Sequence, residues 1–343
     1  MSSAVPLLGV EHLRELVEAH PAWWDGAPGA GDPSPVTGGI ELTELGRGES
    51  YIAYLARRGA AELVLRVPHK DPAELDGDPA AELATLARVP AGLGAAPIAV
   101  HTPEATPGAS ISVTTRVPGR MLPAAAWDDP ALLLRLAQRL AVLHVHGDTA
   151  GLEVPERIGP VAAAEDGRRW WQEHEPASAE ALIEPLWSSL LARLEQTLPA
   201  FDGADRVLLH GDPAASNLLV DEGGEVRFVD WEWAQVGDAA RDLAFIGGPV
   251  AAEPWYAVLT PARVRAQAED YLTAREAEHA AAGLAAPDLD LEALLVRREA
   301  HLLQEVVFTA AHLHRVGESG GERGVQAAAT SRAMAAQLRD HLG

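Results

Sequence analysis

The chain has 343 residues, a formal net charge of −23 and no cysteine. Without cysteine there can be no disulfide, thiolate metal site or cysteine nucleophile, and so acidic a surface repels a nucleic-acid backbone while steering small cations inward. Met1 to Trp24 lacks the apolar core of a secretory signal, and the longest apolar stretch, Leu132 to Val145, is broken by Arg135 and Arg139, so a cytoplasmic protein with no membrane partner is expected.

Residues 1–37 read as an additional helix, with Leu7, Val10, Leu13, Leu16 and Val17 at helical spacing, followed by a Gly/Pro-rich linker from Gly26 to Pro35. From Ile40 the pattern becomes that of strands. Ile40 to Leu45 and Tyr51 to Ala56 flank a glycine-containing loop, Gly46-Arg47-Gly48-Glu49-Ser50, and a third strand runs from Glu62 to Val67. Main-chain N–H groups in such a loop, at Gly48 and Ser50, can approach a phosphate where larger side chains would obstruct it. Arg66 closes the third strand with a planar cation suited to phosphate. A helix is expected to begin at Asp78-Pro79, a cap followed by proline at the first position, and its first turns offer Glu82 as the carboxylate that orients Arg66. Ala96 to Val100 and Ala109 to Val117 read as two further strands, ended by Pro118-Gly119.

Beyond residue 119 the chain is mostly helical. Asp129-Pro130 opens a helix with Leu132, Leu133, Leu136, Leu140 and Leu143 on one face; His144 and His146 at its end read as polar residues without a third metal ligand. Trp170 and Trp171 are expected to begin another helical stretch, running with a break to about Leu198. Then comes the stretch richest in chemistry: Leu208-Leu209-His210-Gly211-Asp212-Pro213-Ala214-Ala215-Ser216-Asn217, two apolar runs joined by Gly223-Gly224, and Asp230 closing the second run. A hairpin there returns Asp230 toward Asn217, with Asp212 one loop upstream. Amide and carboxylate oxygens suit Mg²⁺, which takes its remaining ligands from water and phosphates, while a separate carboxylate, Asp212, is placed to accept a hydroxyl proton. His146-Gly147-Asp148 repeats the tripeptide, but the residue five beyond that aspartate is Glu153 and no hairpin follows, so it reads as a polar turn.

His210-Gly211-Asp212, Asn217, Asp230-Trp231-Glu232, Gly237-Asp238 and Asp242-Leu243-Ala244 resemble the signature of the aminoglycoside phosphotransferase and choline kinase superfamily of small-molecule kinases. The resemblance implies a protein-kinase-like, two-lobed α+β fold: an antiparallel-sheet N-lobe over 38–118 that ends in a hinge, and a helical C-lobe over 119–343. Within the C-lobe it implies a catalytic segment over 207–244 and substrate-binding helices over 250–343. It implies ATP or GTP and Mg²⁺ as cofactors, Asp212 as the catalytic base, and Asn217 and Asp230 as metal ligands. Arg66 stands where protein kinases carry a phosphate-pairing lysine. Thr115 and Val117 would meet the adenine through their main chains, with Thr114 behind, and His210 and Asp242 would support the catalytic loop. Glu232 could touch metal-bound water or a cationic substrate, and its Asp-x-Glu setting is closer to choline kinase than to most aminoglycoside kinases.

Trp231 and Trp233 read either as core fillers or as a π face for an ammonium. Residues 250–343 are expected to be helical apart from a loop at Ala280 to Pro287, and Glu269, Asp270, Glu299 and Glu305 are candidates to meet substrate amines. The expected activity is transfer of the γ-phosphoryl group to a hydroxyl of a small polar molecule, with a cationic one favoured by the acidic surface. The favoured acceptor is an antibiotic, which would make the protein a resistance or self-protection kinase. A metabolic kinase of an amino alcohol or sugar is the alternative, and a nucleotide-binding pseudokinase is the alternative of another class.

Overall fold

A computed structural model describes residues 8–27, 39–48, 50–70, 75, 78–103, 109–155, 159–285, 287 and 290–343. The linker after Ala27 and Glu49 of the glycine loop lie outside them. The chain divides into two compact units, Met1–Pro118 with Arg227–Ala234, and Gly119–Val226 with Gln235–Gly343.

In the first unit, α1 (Val10–Ala19) and a 3₁₀ turn at Pro21–Trp24 precede strands β1 (Glu41–Arg47), β2 (Tyr51–Arg58) and β3 (Ala61–Pro68). After α2 (Pro79–Leu86) come β4 (Pro97–His101) and β5 (Ile111–Thr115). The five strands form an antiparallel sheet in the order β1-β2-β3-β5-β4. Alternation along β3 buries Leu63, Leu65 and Val67 in a core with Leu13, Val17 and Trp24, and so turns Arg66 to the opposite face. Val10 is not part of the buried stripe of α1: it is 39% exposed, and Leu13, Leu16 and Val17 carry the packing. β5 ends at Thr115, two residues before the expected boundary. α2 starts where its cap dictates: the Asp78 side chain accepts the Ala80 N–H at 2.9 Å, and Pro79, which has no N–H to leave unpaired, takes the first position.

The second unit opens with β6 (Arg120–Met121) and α3 (Pro130–His146), capped by Asp129. α4 spans Pro160–His174, so Trp170 and Trp171 lie near its end rather than its start. Pro160 after Gly159 supplies the start signal, and the alanines that follow favour helix without an apolar stripe to reveal it. A three-residue turn, α5 (Pro176–Ser178), leads through a π-helical stretch at Ala179–Ile183 into α6 (Glu184–Thr197). β7 (Val207–Leu209), β8 (Leu218–Val220), β9 (Val226–Phe228) and β10 (Gln235–Gly237) frame the expected catalytic segment. β7 pairs with β10, and β6 with β8.

The hairpin strands are shorter than the apolar runs, and the chain passes into the first unit within β9. Asp230 therefore sits beyond the strand end, and residues 227–234 belong with the first unit rather than with the helical part. After α7 (Ala240–Ala244) come two two-residue strands, β11 (Gly247–Gly248) and β12 (Ala257–Val258), the second of them within the stretch expected to be helical. Their parallel pairing brings the Gly247 backbone so near Ala257 that a Cβ would lie 2.1 Å from its carbonyl oxygen, which only glycine avoids.

α8 (Pro261–Ala281), α9 (Leu291–Glu318) and α10 (Gly321–Leu342) complete the unit. Asp290 caps α9 by accepting the Glu292 and Ala293 N–H groups. The core gathers Leu190 and Leu194 of α6, Leu303, Val306 and Ala310 of α9, and Met334 and Leu338 of α10. Truncating one such buried leucine to alanine costs about 2–5 kcal/mol. Among the described residues no helix is long and apolar enough to cross a membrane.

Candidate active site

The phosphate-binding expectation falls in the first unit. Arg66, on the sheet face opposite the core, pairs with Glu82 of α2 and donates to Asp230 Oδ1 at 2.8 Å. Its guanidinium also lies 4.8 Å from the centre of the Tyr51 ring. Asp230 is held at φ +66°, the only non-glycine residue with positive φ among those described. A left-handed aspartate costs free energy and persists only where its surroundings impose it. Burial works against the Arg66 charge, but Asp230 and Glu82 keep its pKa above the ordinary value. Burial pushes Glu82 up, as does Asp230, even though Arg66 pulls the other way. Burial likewise raises Tyr51 to about 12, with Glu82, Glu232 and Asp230 adding to the effect. One guanidinium thus pairs with two carboxylates. Carboxylate oxygens are hard donors of the kind that fit a divalent cation such as Mg²⁺.

Trp231 is buried against Phe228, beneath Gly94, where a Cβ would lie 2.9 Å from the indole nitrogen; Trp233 is 49% exposed. The core-filling reading therefore describes Trp231, while Trp233 is a surface residue. In the glycine loop the Gly48 N–H donates to the Tyr51 carbonyl at 2.9 Å, and the Ser50 carbonyl accepts from His69. The Gly48 amide is thus engaged within the loop rather than presented to a ligand. Thr115 is tied to Ala96 twice, its N–H donating at 3.0 Å and its hydroxyl accepting at 2.8 Å. Val117 is 9% exposed, and its main-chain N–H and carbonyl have no hydrogen-bond partner among the described residues. A buried orphan donor and acceptor side by side fit a heteroaromatic base.

The second unit holds the Asp212 loop. Gly211 adopts φ +89°, the conformation that turns the chain out of β7, and Asp212 follows it directly. The Asp242 carboxylate accepts the main-chain N–H of His210 at 2.8 Å and of Gly211 at 3.0 Å. Fully buried His210 accepts the Asp212 N–H through Nδ1 at 3.3 Å. Asn217 Nδ2 donates to both the Asp212 carbonyl and Asp212 Oδ2 at 2.9 Å, which leaves the amide oxygen as the atom that can face a cation.

Around this loop the structure assembles groups that sequence spacing did not single out. The Ala215 N–H donates to the Trp255 carbonyl at 3.1 Å, and the next residue, Tyr256, places its hydroxyl 3.2 Å from Thr309 of α9. Burial, Glu305 and Asp212 together hold the Tyr256 phenol far above its ordinary pKa. His144 contacts Asp242 and is buried, contrary to its reading as a polar helix end. Of the acidic candidates for substrate amines, Glu305 pairs with Arg241 at 2.9 Å, Glu299 with Arg193 and His341, and Glu269 with Arg265. Those three therefore already have counter-charges. Asp270 stands apart, its carboxyl raised by burial and by Glu269. Among the described residues no three His, Cys, Asp or Glu side chains cluster as a metal site, so a metal here would draw ligands from phosphate and water.

Residues 41–284 match the family model of the phosphotransferase enzyme family, APH. A comparison with curated protein sequences finds no match. Solved structures with the same fold include a choline kinase from Cryptosporidium parvum Iowa II, at 14% identity and TM-score 0.63, covering 97% of this chain and 96% of that one. A thermostable mutant of aminoglycoside phosphotransferase APH(4)-Ia, in a ternary complex with ADP and hygromycin B, aligns at 16% identity and TM-score 0.54 over 89% and 95% of the two chains. A macrolide 2'-phosphotransferase from Brachybacterium faecium aligns at 19% identity and TM-score 0.52 over 95% and 98%. These neighbours establish a kinase-like α+β fold. The chain belongs to the phosphotransferase enzyme family and is a small-molecule phosphotransferase.

Proposed function

We propose that the protein transfers the γ-phosphoryl group of ATP or GTP to a hydroxyl of a small polar molecule, with Asp212 as the base. The observation that carries this reading is the loop itself. Asp212 follows a left-handed glycine whose N–H is anchored by Asp242, and its carboxylate is oriented by Asn217. A carboxylate held in this way can align an acceptor hydroxyl and take its proton as the new bond to phosphorus forms.

By the same reading Asn217 and Asp230 hold Mg²⁺, Arg66 set by Glu82 grips the phosphates, and the main chains of Thr115 and Val117 receive the adenine. Bound nucleotide with its metal supplies the phosphoryl group and neutralises charge on it. The catalytic side chains expected of such a kinase are all present, which speaks for an active enzyme over a pseudokinase.

The acceptor we favour is a hydroxylated antibiotic, cationic by preference. The net charge of −23 favours the approach of a cation, and antibiotic kinases stand among the structural neighbours. Glu232, two residues after Asp230, supports a second reading, an amino-alcohol kinase, since a choline kinase shares the fold. Incubation with Mg²⁺ and nucleotide against a panel of aminoglycosides, macrolides, choline and ethanolamine, read by mass spectrometry, separates the two. A phosphate added to an antibiotic alone supports the first and one added only to an amino alcohol the second. Nucleotide turnover with no acceptor modified in a wide panel would contradict both.

A further inference from the structure

Behind the Asp212 loop lies a buried polar relay. Near the end of α3, His144 places Nδ1 at 2.8 Å from the Tyr271 hydroxyl of α8 and Nε2 at 3.1 Å from Asp242 Oδ2. The same Asp242 oxygen accepts the His210 N–H, and Oδ1 accepts that of Gly211.

The protons in this relay follow by elimination. Burial alone would raise Asp242, but the hydrogen bonds it accepts from His144 and from the His210 N–H bring it below the usual carboxylate range. An ionised carboxylate only accepts, so His144 Nε2 carries the hydrogen. Burial, with Arg275 nearby, lowers the His144 pKa against the pull of Asp242 and Asp238, so the ring stays neutral and Nδ1 bears a lone pair. The Tyr271 hydroxyl must then donate into Nδ1, and burial, opposed by Arg275 and aided by Asp238, Asp205 and Asp242, keeps that phenol protonated. The relay has one direction: tyrosine to imidazole to carboxylate.

We infer that His144 is a positioning residue for phosphoryl transfer, fixing through Asp242 the two amides from which Asp212 is presented. The inference rests on Asp212 being the base. Gly211 and Asp212 are adjacent, and Gly211 has the conformational freedom to swing. If Asp242 loses its imidazole donor, the carboxylate can rotate and the loop can move with it.

The test uses the full chain and an acceptor identified by phosphate addition. His144→Leu removes the donor to Asp242 and keeps an apolar volume; His144→Gln restores an N–H at similar reach. Turnover of His144→Leu is expected to fall by about 10²-fold, the scale of a small misplacement of a reacting group, with KM for both substrates within about threefold. His144→Gln is expected to recover most of the loss. A Leu variant with wild-type turnover, or a Gln variant no better than Leu, overturns the inference.

Asp212→Asn keeps the two readings apart. Full turnover by that variant removes the base assignment, whereas an inactive Asp212→Asn beside an unimpaired His144→Leu removes only the positioning role. Ring-nitrogen NMR of the native protein needs no variant and decides the matter if His144→Leu does not fold. The expected signal is a neutral Nε2–H tautomer. An Nδ1–H tautomer or an imidazolium at neutral pH overturns the inference.

Discussion

The loop around Asp212 and the cluster around Arg66 handle charge in opposite ways. In the second unit Asp242 receives three N–H donors, two from the main chain and one from His144, so the carboxylate is satisfied by neutral groups already in place. In the first unit Arg66 stands among Glu82, Asp230 and Glu232, and burial raises Glu82 in spite of its partner. One region is complete without a ligand. The other holds a carboxyl, Glu82, that burial raises in spite of its cation. An enzyme that must align a hydroxyl benefits from a rigid loop, while one that must admit and release a charged nucleotide benefits from a cluster completed only on binding.

Variants in the Arg66 cluster should therefore depend on metal and nucleotide, with effects graded by how directly each group meets them. Asp230→Ala removes a proposed metal ligand and the Arg66 partner together; turnover is expected to drop by about 10²-fold or more, with part recovered at high Mg²⁺ in a steady-state assay. Arg66→Lys keeps the charge but loses the fork that spans Glu82 and Asp230, so KM for nucleotide should rise by about tenfold, the worth of one charged hydrogen bond. Glu82→Gln should raise KM for nucleotide less, by roughly threefold. Its thermal midpoint without ligand should be unchanged or higher. A carboxyl whose pKa is raised on folding contributes stability below its unfolded value and loses it as pH rises through the folded one, so its ionised form is a liability at neutral pH.

The smallest effect belongs to the satisfied region and has the opposite sign. Asp238 and Asp242 both lie below their ordinary value of 3.8, so the stability they contribute is present above that pH and is lost as pH falls through their folded values. Urea titrations should show the midpoint holding from neutrality to about pH 5 and declining below pH 4.

Much of this was legible in the sequence because it is local. The cap at Asp78-Pro79, the alternation that turns Arg66 away from the core, and the loop from His210 to Asn217 each depend on residues a few positions apart. The Arg66–Glu82 pair could be anticipated because a strand and a capped helix offered one cation and one carboxylate. His144 could not. Its partners Tyr271 and Asp242 lie 127 and 98 positions away, and a histidine at a helix end looks alike whether it meets solvent or a buried acid. The partners of the acidic residues on the last helices were hidden for a related reason: carboxylates on a helix face show their charge, while the arginines that pair with Glu305 and Glu299, Arg241 and Arg193, come from other elements. The start of α4 was hidden by alanine, which favours helix without marking a face.

The central claim, that the anchored Asp212 carboxylate takes the acceptor proton, is tested most directly by the single-turnover rate of Asp212→Asn with a phosphorylated acceptor in hand. Asparagine can keep the loop's hydrogen bonds but cannot accept that proton. The account predicts nucleotide affinity close to wild type and a transfer rate lower by about 10²–10⁴-fold. Transfer at the wild-type rate would contradict it.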